Sequence, residues 1–495
     1  MDLFACETGA LLACAAYLLE EEFNAVSPFI LTCIEDNLKR RILLPYLTAH
    51  FWWMGHDDEP MCNWTVWCTQ NVLLTTFLMP WSVEMSSRLS SPVRTFSGNA
   101  PLFLPENTSD TVVTLQAILH KAAESCDYFL KDYGNDGCCE EGAQYYRHAG
   151  LCLYGAMTVL NTVTDGHFDT LFRWDKVKNI ASYILNVHVN DKYYFNFADC
   201  SPIAGRAGVR EYLFGKATGQ EDLCLFAAKD FQAGQGQLVT DEVNGGNLFY
   251  RMQTVFHYEE LMQQNTSGTL SHRDVYYPSV GLFLVHSDTL DLAVKAGVNA
   301  DSHNHNDTGS ITLYKNGLPI LADIGVETYT RKTFSPRRYE IWTMQSGYHN
   351  LPTICGTDQK DGVEYRAENV MTVLTGAEPS ISMELAAAYP AAQAIVPDLT
   401  YVRRVTLKKS SNTVVLEDHT NAQDVILNFI TYEKPVILSD GKLSIGEASA
   451  SFEGADLLAI ETLPITDAHL KTAWDHDLYR IRLKGSDASF RLTIQ

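Results

Sequence analysis

The chain has 495 residues, a formal net charge of −23 and a hydrophobic fraction of 46%. This excess of acids argues against generic binding to nucleic acids or anionic membranes, and no run of 18 or more apolar residues predicts a membrane span. The length provides for two or three domains with a large buried core.

The cysteines and the start of the chain indicate a reducing compartment. The 12 cysteines contain no CxxC pair, so we expect reduced, mostly buried thiols and no zinc ribbon. No Lys or Arg precedes the short apolar run near the start, which is therefore a poor signal peptide. We expect a cytoplasmic location. A periplasmic or secreted location stays open if the N-terminus is incomplete. Formation of a homo-oligomer is a separate possibility that also stays open.

Residues 1–265 carry helical periodicity. Apolar residues recur at spacings of three and four in the segments 29–47, 63–79, 111–134 and 147–163, and turn signals separate these segments. Helix follows helix without a strand between them. This pattern predicts stacked helical hairpins, arranged as an α-solenoid or an α/α toroid.

From about residue 270 the period of the pattern changes to two. Short alternating runs joined by polar turns predict antiparallel β-sheets, stacked as a β-sandwich. The fold class is therefore α+β and multidomain. We place the boundary in the polar stretch 263–271, which gives a helical domain over 1–265 and a β domain over 266–495.

The stretch "DSHNHNDTGS" begins the candidate site in the second half. His303, His305 and Asp307 occupy alternate positions. On an extended chain, side chains two residues apart point the same way, so the two histidines can share a face. The stretch fits either a metal site or a base beside a metal ligand. The alternative is a pair of hydrogen-bonded histidines at a sheet edge.

The turn that follows returns an acid towards these histidines. Asn316-Gly317 is a strong hairpin signal, and a two-residue turn there sets Asp323 opposite Ser310, near the histidines. His349, in "SGYHNLP", offers a third imidazole. One acid with two or three histidines suits zinc.

The stretch "YGNDGCCEEGAQYYRHAG" combines a turn with the start of a helix that carries Tyr145 and Tyr146. A phenol in a cleft can act as acid and base if nearby cations lower its pKa from about 10. Arg147 and His148 are adjacent and could supply that charge. The alternative is that both tyrosines pack as aromatic core.

The stretch "HDDEPMCNWTVWC" predicts a helix start at Pro60 with Asn63 in the first turn, where free backbone N–H groups favour an anion. Asn63 could donate a hydrogen bond to a substrate carboxylate, and Trp64 and Trp67 could stack on a sugar. The alternative is a capping asparagine beside core tryptophans.

The stretch "YTRKTFSPRRYEIW" concentrates cations in an acidic protein: Arg331, Lys332, Arg337 and Arg338. It fits a bound sulfate or carboxylate held in arginine forks, or a solvated charge run.

Taken together, these motifs resemble the heparinase II/III-like polysaccharide lyases. The strongest match is "HNHNDTGSITLYKNGLPILADIG" followed by "YHNLPTICG". "DGCCEEGAQYY" and "CNWTVW" match two further motifs in the family's order. The resemblance covers most of the chain. It implies an N-terminal α/α toroid, C-terminal antiparallel sheets and β-elimination on a polysaccharide that contains uronic acid. The expected substrates are heparan sulfate, chondroitin sulfate or hyaluronan.

The resemblance also implies residue roles. Asn63 would neutralise the uronate carboxylate, and Tyr145 and His303 would exchange protons with the substrate. Tyr145 is the expected acid at O4, and which of the two is the base can depend on the C5 epimer. Tyr146 directly follows Tyr145 and is the alternative candidate for the acid.

A structural zinc ion would bind His305, Asp323 and His349 and fix the loop that presents His303. Asp307 would orient a histidine. The expected substrate contacts are Trp64, Tyr146, Arg147, Arg338 and Tyr339.

The net charge conflicts with a polyanionic substrate, so we expect a locally basic cleft. Its candidate lining residues are Arg147, Arg206, Arg210, Arg337 and Arg338. A cleft that is not basic would favour hyaluronan or alginate. Two other functions stay open: a zinc-dependent carbohydrate hydrolase, and a non-catalytic carbohydrate-binding protein.

Overall fold

The computed structural model describes residues 1–81, 115–238, 247–270 and 272–495. Within those ranges the chain forms two compact units. The helical unit comprises Met1–Tyr133, Tyr146–Ala181 and Arg206–Gly268, and the β unit comprises Gly134–Tyr145, Ser182–Gly205 and Thr269–Gln495. Two short segments from the first half of the sequence thus belong to the β unit.

The predicted helical segments are helices in the structure, although residues 111–114 lie outside the described ranges. The helices are α1 (Leu3–Leu18), α2 (Glu20–Val26), α3 (Phe29–Leu38), α4 (Leu44–Thr48), α5 (Asn63–Leu78), α6 (Leu115–Asp132), α7 (Gly142–Tyr146), α8 (Gly150–Val163), α9 (Asp175–Val187), α10 (Val209–Thr218), α11 (Glu221–Ala233), α12 (Leu248–Gln263), α13 (Pro390–Ile395) and α14 (Leu470–Ala473). In the described ranges no single helix is long and apolar enough to cross a membrane. The bent pair α1 and α2 reaches that length and composition only together, across an 84° bend.

Helix α5 shows how the helical unit packs. It is buried along almost its whole length, including the polar side chains of Gln70 and Asn71. Gln70 Nε2 donates a 2.6 Å hydrogen bond to the Tyr250 hydroxyl. A Cβ atom at Gly155 would lie 2.1 Å from Gln70 Oε1, so this glycine lets α8 pack closely against α5. Helix-on-helix packing agrees with the sequence pattern, and closure into a toroid stays a prediction.

Antiparallel strands dominate the β unit. They are β1 (His188–Asn190), β2 (Tyr193–Tyr194), β3 (Val275–Tyr277), β4 (Leu282–His286), β5 (Leu290–Lys295), β6 (Val298–Asn299), β7 (Ile311–Lys315), β8 (Leu318–Leu321), β9 (Pro352–Ile354), β10 (Gly362–Arg366), β11 (Glu368–Val373), β12 (Ser380–Glu384), β13 (Tyr401–Lys408), β14 (Thr413–Thr420), β15 (Val425–Thr431), β16 (Val436–Ser439), β17 (Lys442–Ile445), β18 (Ala448–Glu453), β19 (Ala455–Leu463), β20 (Leu478–Gly485) and β21 (Ser489–Ile494).

Two large sheets share one hydrophobic core. One sheet has the strand order β11-β12-β13-β14-β21-β18-β17-β16, and the other runs β19-β20-β15-β8-β7-β5-β4-β3, with β9 also paired to β15. Side chains of both sheets, such as Leu292 and Leu313 from one and Val405 and Leu416 from the other, belong to a single buried cluster. Period-two alternation produces this arrangement, because it gives each strand one apolar face.

The predicted hairpin at Asn316-Gly317 is confirmed. Both residues have positive φ, 51° and 77°, as a tight turn of this kind requires. The predicted register beyond the turn is wrong. A bulge shifts the pairing by one residue and sets Leu313 opposite Leu321, so Asp323 does not fall opposite Ser310.

A buried arginine connects one of the two sheets to the segments that carry the candidate site. Arg403 of β13 is fully buried and pairs with Asp418 of β14 through two hydrogen bonds of 2.9 and 2.8 Å. Its Nη1 also donates to the carbonyl oxygens of Gly309 and Asn350, at 2.9 and 2.8 Å. Gly309 follows the "HNHND" stretch and Asn350 follows His349, so one guanidinium fixes the ends of both segments.

We predict that Arg403→Met lowers the free energy of unfolding by about 3–5 kcal/mol, because it leaves the Asp418 carboxylate buried without its charge partner. Urea unfolding followed by circular dichroism measures this change. Arg404→Met is the matched control, since Arg404 is exposed on the same strand. Equal losses in the two variants would contradict the role given to the buried pair.

Candidate active site

Four side chains of the β unit converge on the carboxylate of Asp199. His303 Nδ1 lies 2.8 Å from Oδ2, and His305 Nε2 lies 3.0 Å from Oδ1. Arg338 Nη2 donates to Oδ1 at 2.5 Å, and the Tyr329 hydroxyl donates to Oδ2 at 3.2 Å. A carboxylate that accepts this many hydrogen bonds is held rigidly and in its charged form.

Asp199 lies in a turn after β2 and is buried. Burial by itself would raise its pKa. The hydrogen bonds from His303 and His305 and the charges of His305 and Arg338 outweigh burial and hold the pKa of this carboxyl well below its usual range. Asp199 is therefore an anion at every pH at which the protein would work.

Tyr145 stands next to His303, with ring centroids 4.5 Å apart. It lies on the short helix α7, which begins at Gly142 with a φ of 86°. A Cβ atom at Gly142 would lie 2.6 Å from the Cβ of Cys200, so only glycine allows the helix to start against that segment. The Tyr145 hydroxyl lies 2.5 Å from the Tyr329 hydroxyl.

The expected lowering of the Tyr145 pKa does not occur in this structure. Burial raises the pKa of Tyr145 above its ordinary value, and the charges of Asp199 and Glu141 add to that effect, while the hydrogen bond with Tyr329 opposes it. The physical reason is that burial, and to a smaller extent the nearby carboxylates, disfavour a phenolate. Tyr145 therefore carries its proton at neutral pH.

His303 has a left-handed backbone, with a φ of 56°, and not the extended one that we expected. The two histidines reach Asp199 through this bend. Burial lowers the pKa of His303, but the hydrogen bond with Asp199 and the charge of Glu141 outweigh it and raise the pKa above its ordinary value. His303 Nε2 lies 3.7 Å from Glu141 Oε2.

A buried lysine closes the loop that carries the histidines. Lys295 Nζ lies 2.8 Å from Asp301 Oδ2 and 3.9 Å from Asp307 Oδ1, so one ammonium group holds both ends of the loop. A non-glycine residue at positive φ is strained and needs such support from its surroundings. We expected Asp307 to orient a histidine. Its carboxylate faces Lys295, and the charges of His349 and His305 also act on it.

The three predicted metal ligands lie together and buried in the β unit. The rings of His305 and His349 have centroids 5.5 Å apart. His349 Nδ1 lies 3.0 Å from Asp323 Oδ2. The other oxygen of Asp323 accepts hydrogen bonds from Asn196 Nδ2 and the Gly325 N–H, at 3.2 and 2.9 Å.

The donor chemistry of this group fits zinc, while its arrangement is incomplete. His305 Nδ1 and His349 Nε2 are buried without a hydrogen-bond partner among the described residues, and neutral imidazole nitrogens are good zinc ligands. No three His, Cys, Asp or Glu side chains in the described ranges form a group that could hold a metal ion. Asp323 in particular is engaged by His349.

Asn350 explains how His349 reaches this position. Its amide Nδ2 donates to the carbonyl oxygens of Ile311 and Ala322, at 2.6 and 3.0 Å. The Ile430 N–H donates to its Oδ1 at 2.7 Å. Asn350 thus bridges the hairpin where the regular pairing has ended, and His349 is placed beside Asp323.

A cleft of about 570 Å³ opens beside His303 in the β unit. Arg338 and Tyr339, two of the predicted substrate contacts, line it, together with Asn304, Phe334 and two acids, Asp301 and Asp361. The Asn304 amide donates to the Tyr339 hydroxyl at 3.1 Å. The expected basic lining is not observed in this cleft, because Arg338 is the one Arg or Lys side chain among its lining residues and two acids lie beside it.

The other predicted site residues belong to the helical unit. Asn63 is buried and begins α5, three residues later than the predicted start at Pro60. Trp64 packs on Trp52, with ring centroids 5.2 Å apart. These positions leave the roles of Asn63 and Trp64 as predictions.

Two predicted substrate contacts lie in the interior of the helical unit. Tyr146 is fully buried, and its hydroxyl donates to the Ala181 carbonyl oxygen at 3.2 Å. Arg147 is buried and its Nε donates to Glu211 Oε1 at 3.1 Å. Packing and ion pairing explain these two residues, so the structure corrects their assignment to the substrate.

Sequence reasoning missed Asp199 and Tyr329. Asp199 lies in "FADCSP", which has no spacing signal, and its contacts with the histidines span more than 100 positions. Tyr329 begins the stretch that was noted for its cations. Asp199 follows β2 by five residues, and no local pattern around it indicates its role.

Comparison with known proteins gives one family-model match and several matches of fold. Residues 269–426 match the family model of the heparinase II/III-like C-terminal domain. The matched residues contain the strongest of the motifs quoted above, and the match confirms the resemblance predicted from them. No curated protein matches the chain in sequence.

Several solved structures share the fold. A heparinase III gene product matches with a TM-score of 0.56 and 13% identity, over 98% of this chain and 66% of that one. A mutant of the heparan sulfate lyase HepC from Pedobacter heparinus matches with a TM-score of 0.58 and 11% identity, over 94% of this chain and 64% of that one. A chondroitin AC lyase from Streptomyces coelicolor A3 matches with a TM-score of 0.54 and 10% identity, over 100% of this chain and 74% of that one. The chain spans less than two thirds of the first two, and at these identities the likeness is one of fold.

We predict that Asp199→Asn lowers the free energy of unfolding by about 3 kcal/mol, because the amide cannot accept from all four donors and removes a charge that His305 and Arg338 face. Urea unfolding of the whole chain measures the change. Asp440→Asn, at an exposed turn, is the control and should leave stability within about 0.5 kcal/mol of wild type. A wild-type midpoint for Asp199→Asn would show that the carboxylate is not the organising charge.

Proposed function

We propose that this protein is a polysaccharide lyase that cleaves uronic-acid-containing glycosaminoglycans by β-elimination and leaves a 4,5-unsaturated uronate. The observation that carries the proposal is the pairing of a protonated phenol, Tyr145, with an imidazole, His303, whose Nδ1 is held by the buried carboxylate of Asp199. The motif resemblance and the shared fold support the same reaction class.

The geometry supports separate roles for the two groups. An ionised Asp199 accepts from His303 Nδ1–H, so in a neutral imidazole Nε2 carries the lone pair that could take the C5 proton. Tyr145 keeps its proton, as an acid at O4 must before the C4–O4 bond breaks. The base can still change with the C5 epimer, as the resemblance implies.

Elimination also needs the uronate carboxylate to be neutralised, because the C5 proton is only weakly acidic. The resemblance gives this role to Asn63. Arg338 and Tyr339 border the cleft beside His303 and are proposed as substrate contacts. Trp64 keeps its predicted role of stacking on a sugar, and the cytoplasmic location stays a prediction.

The charge balance favours a polymer with little sulfate. Each arginine expected in a basic cleft has a partner within its own unit: Arg147 with Glu211, Arg206 with Asp230, Arg210 with the Tyr250 ring, Arg337 with Glu340 and Arg338 with Asp199. A densely sulfated chain needs cations that are available to it. We therefore place hyaluronan, weakly sulfated glycosaminoglycans and alginate ahead of highly sulfated ones.

We predict that the chain generates an absorbance band of unsaturated uronate with at least one of heparan sulfate, chondroitin sulfate, hyaluronan and alginate. Tyr145→Phe should lower the rate at least 100-fold, because the acid at O4 is lost, while it keeps the wild-type unfolding midpoint. Tyr432→Phe is the matched control, since its hydroxyl bonds a carboxylate elsewhere, Asp475.

The same assay separates the alternatives. New reducing ends without the absorbance band would reject the lyase and favour a zinc-dependent hydrolase, in which His305→Ala abolishes turnover and Tyr145→Phe is mild. Binding of oligosaccharide without any product would favour a carbohydrate-binding protein.

We also propose that His305, Asp323 and His349 hold one structural zinc ion. The support is the pair of buried imidazole nitrogens that have no hydrogen-bond partner among the described residues. When bound, zinc would supply a fixed positive charge that stabilises the loop of His303, and it would take no part in the proton transfers.

We predict about one zinc ion per chain by elemental analysis of protein prepared with zinc. His349→Ala should lose that metal, and a chelator should lower the melting temperature of wild type. His476→Ala changes a partly exposed histidine away from this group and should keep the metal. The proposal would be rejected if wild-type protein contained no zinc, or if the chelator left its melting temperature unchanged.

A further inference from the structure

The hydroxyl of Tyr329 touches both proposed proton-transfer residues of the β unit. It lies 2.5 Å from the Tyr145 hydroxyl, 3.4 Å from His303 Nδ1 and 3.2 Å from Asp199 Oδ2. Its ring packs against Phe334, with centroids 5.1 Å apart. The motifs that resemble the lyases do not include this tyrosine.

A phenol has a single proton, and Tyr329 therefore has to choose between two acceptors. When Tyr329 donates to Asp199, the bond between the phenols must use the proton of Tyr145, which is then directed away from a substrate. When Tyr329 donates to Tyr145, the proton of Tyr145 is released from that bond. Asp199 does not lose its partner in the second state, because His303 Nδ1 lies 2.8 Å from the same oxygen.

We propose that Tyr329 is a positioning residue for the acid step: its hydroxyl turns from Asp199 to Tyr145, which frees the Tyr145 proton for O4 and then stabilises the phenolate that remains. The inference rests on the proposed β-elimination.

The bonds balance as follows. The base takes the C5 proton, and the C5–H electron pair becomes the C4=C5 double bond. The C4–O4 bond breaks, its pair stays on O4, and O4 takes the proton of Tyr145. The resulting phenolate accepts the Tyr329 O–H until the proton held by the base returns through solvent, and no group is oxidised or reduced.

The surroundings of Tyr145 explain why such a donor is needed. Burial and the nearby Asp199, Glu141 and Cys200 all raise the pKa of Tyr145 and oppose a phenolate, and the Tyr329 hydroxyl acts in the other direction. Burial also raises the pKa of Tyr329, and so do Tyr145 and Asp199. Tyr329 therefore holds a proton that it donates to Tyr145.

The experiment compares two substrates that differ in their need for an acid. One is the oligosaccharide with the strongest absorbance response, whose sugar alkoxide must be protonated as it leaves. The other is a uronide with a dinitrophenyl ether at O4, whose leaving group needs no proton. Tyr329→Phe should lower kcat on the oligosaccharide on the order of 100-fold and on the aryl ether less than about threefold.

Tyr145→Phe should show the same selectivity more strongly, and Tyr432→Phe should leave both rates unchanged. The unfolding midpoint of each variant is measured alongside. An equal fall on both substrates would show that Tyr329 acts only through structure, and no fall would show that it does not act at all. Wild type that eliminates neither substrate would reject the proposed function itself, which is a different result.

Discussion

The carboxylate of Asp199 is the interaction on which the candidate site depends. It is a buried anion whose four donors come from two segments of the β unit: His303 and His305 from the loop before β7, and Tyr329 and Arg338 from the segment after β8. A buried charge is costly unless it is fully hydrogen-bonded. The free-energy cost of an unpaired buried charge keeps the four donors together, because the loss of any one hydrogen bond leaves the carboxylate less well compensated.

This single acceptor links two kinds of group. His303 belongs to the proposed proton transfers and His305 to the proposed metal set, and they share one carboxylate through its two oxygens. Lys295 adds a second electrostatic tie by holding Asp301 and Asp307 at either end of the same loop. The loop is thus fixed by ion pairs and hydrogen bonds, which explains how His303 can keep a left-handed backbone.

The sequence predicts the parts of the fold that arise from local patterns. The change of period near residue 270, the helix of Asn63 and the turn at Asn316-Gly317 all depend on neighbouring residues, and all are observed. Asp199 could not be predicted in the same way, because its partners are set by long-range packing. Tyr145 and Tyr146 are adjacent in sequence, and no local pattern tells that Tyr146 is the one buried in the helical unit.

The bulge in the hairpin has a consequence for how this chain can change. A bulged residue lengthens a strand without adding a pair, so the pairs on either side of it do not depend on its presence. Ile320 is the extra residue here, because Pro319 pairs with Tyr314 and Leu321 with Leu313. Deleting Ile320 would restore regular pairing and leave Leu321 and every later residue in register. The bulge is therefore a position at which this hairpin can lose one residue while Asp323 stays beside His349.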